Sequence, residues 1–75
     1  MFLVIEIQTS PADLVSTLVY SYADENQAMS KYHEVLQYAA VNTTLKKHAC
    51  AVITEEGFHI RHECYTHEIN PEQEN

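Results

Sequence analysis

Seventy-five residues leave room for a single domain, and a chain of this length buries only about 60% of the surface that its unfolded form exposes. A core that small usually relies on a disulfide, a metal or a partner subunit as well. Eleven acidic residues against four basic ones give a formal charge of −7 with neutral histidines, which opposes nonspecific attachment to nucleic acid or anionic membrane.

At 45% apolar residues, with one glycine and two prolines, the composition is that of a folded chain. The opening run MFLVIEIQ is short, is interrupted by Glu6 and lacks a basic leader. It reads as a strand, neither a signal peptide nor a membrane span. Without an export signal, the expected location is cytoplasmic. Both cysteines are then expected to stay reduced.

Residues 2 to 8, FLVIEIQ, and 14 to 22, LVSTLVYSY, are rich in β-branched and aromatic side chains. They flank TSPAD, where Pro11 suits the second position of a turn, so an antiparallel hairpin is predicted. With Gln8 opposite Leu14, one hairpin face carries Leu3, Ile5, Ile7, Val15, Thr17 and Val19, and this face is expected to be the core side. The other carries Phe2, Val4, Leu14, Leu18, Tyr20 and Tyr22.

The segment DENQAMSKYHEVLQYAAVN has the clearest helical period. Asp24 is a good N-cap, and Gln27 completes the capping-box spacing. Ala28, Tyr32, Val35, Leu36 and Ala39 form a stripe suited to lie on a sheet, with Met29, His33 and Ala40 at its borders. Glu25, Lys31, Glu34 and Gln37 are assigned to solvent. Asn42 and the two threonines after it end the run.

Residues 48 to 67, HACAVITEEGFHIRHECYTH, supply a second hairpin. TEEGF suits a three-residue loop with Gly57 left-handed. Continued without interruption, that register sets Thr54 against Phe58, Val52 against Ile60, Cys50 against His62 and His48 against Cys64. All of these share one surface, marked as the core side by Phe58, Ile60 and Val52. Ala49, Ala51, Ile53, His59, Arg61, Glu63, Tyr65 and His67 share the other. The tail EINPEQEN, residues 68–75, has no periodicity and is expected to be mobile, leaving 1–67 as the domain.

These elements predict an α+β fold of order ββαββ: a four-stranded antiparallel sheet with one helix packed on one face. A helix of about 18 residues spans about 27 Å, enough to cross the sheet and return the chain beside the first strand. The expected strand order is 2-1-3-4.

The crossed cysteine and histidine pairs raise metal chemistry. His48, Cys50, His62 and Cys64 are the candidate zinc ligands, with His33 able to approach from the helix. The spacing lacks the C-x-x-C or H-x-x-x-H knuckles of zinc sites, and free cysteine commonly packs as a small hydrophobe. No resident cofactor is therefore assigned. A Cys50–His62 catalytic dyad has no third orienting group, and one glycine offers no phosphate cradle, so no catalytic residue is assigned and an enzyme is not expected. Protonation of all five histidines would move the net charge from −7 to −2, which raises pH-dependent association as a further reading.

A single helix covers one sheet face only. The hairpin face bearing Phe2, Val4, Leu14, Leu18, Tyr20 and Tyr22 is expected to stay open and to form the partner-binding surface, rimmed by Glu6, Arg61 and Glu63. A second copy of the chain is the simplest occupant, giving a homodimer that stabilises a small core.

The runs VIEIQT, SKYH, TEEGF and ECYTHE, followed by an acidic tail, resemble short uncharacterised acidic proteins encoded in bacteriophage and prophage genomes. The resemblance implies a phage-related setting and transfers no catalytic or binding residue. The expected function is a non-catalytic accessory role exercised through protein–protein contact, as a homodimer. Two alternatives stand beside it: an acidic inhibitor of a host defence complex that binds nucleic acid, and a small zinc-stabilised domain.

Overall fold

The computed structural model describes residues 1–67. Four strands and one helix follow in the predicted order: β1 (Phe2–Thr9), β2 (Val15–Tyr22), α1 (Glu25–Val41), β3 (Lys47–Thr54) and β4 (His59–Thr66). They build one antiparallel sheet, β2-β1-β3-β4, with α1 packed on one face. The acidic tail, 68–75, lies outside the described residues.

Both hairpins turn by one device. Asp13 N–H bonds Ser10 C=O and Gly57 N–H bonds Thr54 C=O, each at 2.9 Å, closing a four-residue turn whose last residue has positive φ. Glycine meets that demand at no steric cost. Asp13, at φ 64°, is among the few side-chain-bearing residues that tolerate it. Pro11 occupies the second position of the first turn, where its fixed φ helps.

Asp24 caps α1, its Oδ2 accepting from Gln27 N–H at 3.3 Å. Asp24→Ala is expected to lower stability by about 1 kcal/mol, read as a fall in the urea midpoint with an unchanged slope. At the other end, Asn42 Oδ1 accepts from the Thr44 and Leu45 N–H groups at 2.7 and 2.9 Å, which turns the chain out of the helix and toward β3.

The helical stripe is as predicted: Ala28, Tyr32, Val35, Leu36 and Ala39 are buried. Ala28 and Ala39 are fully covered, and their small side chains let the helix approach the sheet closely. Below them lie Val4, Cys50 and Val52, with Phe2, Tyr20, Tyr22, Ile60 and Tyr65 packed partly against this cluster.

The faces of the first hairpin are the reverse of those expected. Val4 is completely buried under the helix, while Leu3, Ile5 and Ile7 point away from it. The cause is register. β1 lies between β2 and β3, with Val4 opposite Val52 and Glu6 opposite Cys50. Directly opposed residues share a face, so the core side of β3 dictates that of β1. Through the same pairing, Leu18, Tyr20 and Tyr22 turn toward the helix and Val15, Thr17 and Val19 away from it.

β4 also departs from the uninterrupted register. A bulge between Val52 and Ile53 inserts Ile60 as an extra residue, so that Val52 faces Arg61, Cys50 faces Glu63 and His48 faces Tyr65. Arg61, Glu63 and Tyr65 therefore turn to the helix side, and His62 and Cys64 leave it. Phe58, expected in the core, is 70% exposed beside the turn.

Candidate functional site

Two places concentrate chemistry, one on each side of the sheet. Under the helix, His48 Nε2 donates to Glu6 Oε2 at 2.6 Å, and both residues are buried. Glu6 also receives the Gln8 side-chain amide at 2.8 Å and the Tyr20 hydroxyl at 3.4 Å. Burial alone would raise the Glu6 pKa. Hydrogen bonds from Gln8 and His48, with the nearby positive charges, outweigh it and hold the carboxyl below its ordinary value. His48 Nδ1 is buried with no partner among the described residues.

Cys50 sits beside this pair, fully enclosed. Burial, reinforced by the Glu6 carboxylate, pushes its thiol pKa up to about 11, so it stays protonated at neutral pH and is a poor nucleophile. A shallow groove of about 300 Å³ runs between β2 and α1, lined by Tyr22, Gln27, Ser30, Lys31 and Glu34. Its two charged groups are spent on each other, Lys31 bonding Glu34 at 3.2 Å.

The proposed zinc set is divided between the two faces. His48 and Cys50 lie beneath the helix, whereas His62 and Cys64 lie on the open side, and His33 is an exposed helix residue. Among the described residues, no three histidine, cysteine or carboxylate side chains gather as metal ligands would.

The six residues assigned to the open docking face are likewise relocated. Val4 is core. Phe2, Tyr20 and Tyr22 pack partly beneath the helix. Leu18 is on the helix side of edge strand β2, and Leu14 is exposed in the loop before it. Glu6, placed in the rim from sequence, is buried at the centre. A lone acid inside an otherwise apolar strand was the available signal, and it pointed to an unseen partner on β3.

The open face of the first hairpin belongs instead to the residues assigned there to the core, and β3 keeps its expected open side. Leu3, Ile5 and Ile7 run down β1, flanked by Val15, Thr17 and Val19 on β2 and by Ala49, Ala51 and Ile53 on β3. Val15 and Val19 are 64% and 59% exposed. No carboxylate of the described residues shares this surface. Glu6 and Glu63 turn to the helix side, Glu25 and Glu34 ride on α1, and Asp13, Asp24, Glu55 and Glu56 occupy caps and turns. On a chain of charge −7, such an arrangement keeps the described acids off one side of the molecule, where Lys47 is the charged residue of β3.

No protein-family model matches this chain, and no curated protein or solved structure is significantly similar to it. None of the described helices is long and apolar enough to cross a membrane.

Proposed function

We propose that this protein is a non-catalytic protein–protein contact module that works as a homodimer, two copies joining through their open sheet faces. The apolar surface formed by Leu3, Ile5, Ile7, Val15, Val19 and Ile53, on which no carboxylate of the described residues lies, supports this reading most directly. An accessory role in a phage-related setting is compatible with it.

A second copy suits that surface for two reasons. Chains of charge −7 repel each other except where their acids face away, and the open face is the side that carries none of the described acids. The area is that of a reversible contact. On β2, β1 and β3, strands of eight residues about 4.8 Å apart with about 3.3 Å per residue present roughly 400 Å² per face, so two such faces bury roughly 800 Å², the scale of a weak association, with β4 left uncovered. Back-to-back packing of sheets about 10 Å apart would interdigitate the β-branched side chains.

Val19→Glu decides the matter. Val19 stands beside Ile5, half-way along the face, and is exposed enough to accept a charge without unfolding the chain. Native mass spectrometry at tens of micromolar is expected to return two chains for the parent and one for Val19→Glu, with equal circular dichroism. A parent that stays single would sink the reading, as would a dimer indifferent to the substitution.

A further inference from the structure

The fold employs two of the four histidines on the second hairpin. His48 meets Glu6 under the helix, and His67 Nε2 donates to the Ala39 carbonyl at the end of α1, 2.7 Å away. His59 and His62 are left over. In a regular strand, residues three apart point to opposite faces. The bulge at Ile60 changes that: His59 pairs with Ile53 and His62 with Ala51, so both rings emerge on the open side. His59 Nε2 stands 2.7 Å from His62 Nδ1, with the ring centroids 4.7 Å apart. Both side chains are exposed, and a hydrogen bond between two wetted imidazoles contributes little to folding.

We propose that His59 and His62 form a bidentate surface site for a late first-row divalent metal ion, Zn(II) or Cu(II), held through His59 Nε2 and His62 Nδ1 with water in the remaining positions. Imidazole is a preferred ligand of these ions. Bonds of about 2.1 Å in a tetrahedral site set two ring nitrogens about 3.4 Å apart, so the pair needs to open by only about 0.7 Å. Proton balance is simple. The one proton between the facing nitrogens moves through solvent to the outer nitrogen of its own ring, and the metal takes its place with no net proton released. The negative field of the whole chain attracts the cation. With two protein ligands and an open shell of water, the site is exchangeable and not a structural staple. It is separate from the zinc set considered from sequence, of which it retains only His62.

The test uses the full chain with ZnCl2 as the probe, followed by calorimetry and by imidazole nitrogen NMR. Zinc is expected to move the His59 Nε2 and His62 Nδ1 resonances and to leave His33 and His48 in place. His59→Ala and His62→Ala should each weaken binding by roughly 10-fold or more, since losing one of two ligands costs at least as much as losing a supporting contact. His33→Ala should bind as the parent does. Val19→Glu should also bind zinc normally, its side chain being three strands away, so the metal site and the dimer fail or stand separately. Absence of zinc-dependent shifts at millimolar metal would overturn the proposal. So would equal affinity in the His62→Ala chain.

Discussion

His48→Leu is expected to remove about 1–3 kcal/mol of stability at neutral pH, the usual consequence of leaving a buried acceptor without one of its hydrogen-bond donors. The parent pair is closed over by α1, so the leucine variant leaves the Glu6 carboxylate in place with the Gln8 amide and a distant Tyr20 hydroxyl as its remaining donors. Replacing both residues, Glu6→Leu with His48→Leu, should recover most of the loss or exceed the parent, because no charge is then left to desolvate. Urea midpoints at one fixed protein concentration measure all three chains.

The pH dependence of the same chains tests the cause. In the parent, Glu6 titrates below its ordinary value, so the unfolded chain binds more protons and stability rises with pH. That contribution is complete above the unfolded carboxyl pKa of about 4.3 and is lost as pH falls through the lower folded value. Without His48, two of the influences that lower the Glu6 pKa are gone while burial stays, so the folded pKa moves up from its parental position. Stability of the His48→Leu chain should then rise less steeply with pH through the acid range than that of the parent. A variant whose slope equals the parent's would mean that the His48 contact does not hold the carboxyl down.

This pair also marks where sequence reading stops. Element order, the Asp24 cap, the buried stripe of α1, the Gly57 turn and the strand order all follow from local chemistry, and all are present. Which face of β1 points inward does not. Both of its faces are apolar, Phe2 and Val4 on one and Leu3, Ile5 and Ile7 on the other, so alternation alone favours the longer row. The choice is made non-locally, by the pairing of Glu6 with Cys50 and by a histidine 42 residues away that gives the acid a partner. The bulge at Ile60 is a second non-local outcome. A strand that ran on without it would have set His62 and Cys64 beneath the helix with His48 and Cys50. One inserted residue divides that cluster and joins His59 to His62 instead. The argument that one helix leaves one face bare survives both changes, since it depends on the number of layers and not on which residues line them.

Tyr32→Ala should come close to abolishing folding at low concentration. Tyr32 is the largest side chain of the buried helical stripe and lies over the cluster of Val4, Cys50 and Val52. Burial, with a smaller effect of the Glu63 charge, pushes its phenol pKa up. Truncating an aromatic of this kind costs about 3–5 kcal/mol. A domain of this length holds only about 4–11 kcal/mol in total. Tyr32→Phe keeps the ring and should stay within about 1 kcal/mol of the parent. The alanine variant also reports on the open face. If a second copy covers Ile5 and Val19, association draws the weakened chain toward the folded state, and its midpoint must climb with protein concentration. In the Val19→Glu background the Tyr32→Ala midpoint should be flat over the same range. A concentration dependence that persists there would place the contact elsewhere on the molecule, and the edge strands β2 and β4, with their unpaired backbone groups, would be the next surfaces to vary.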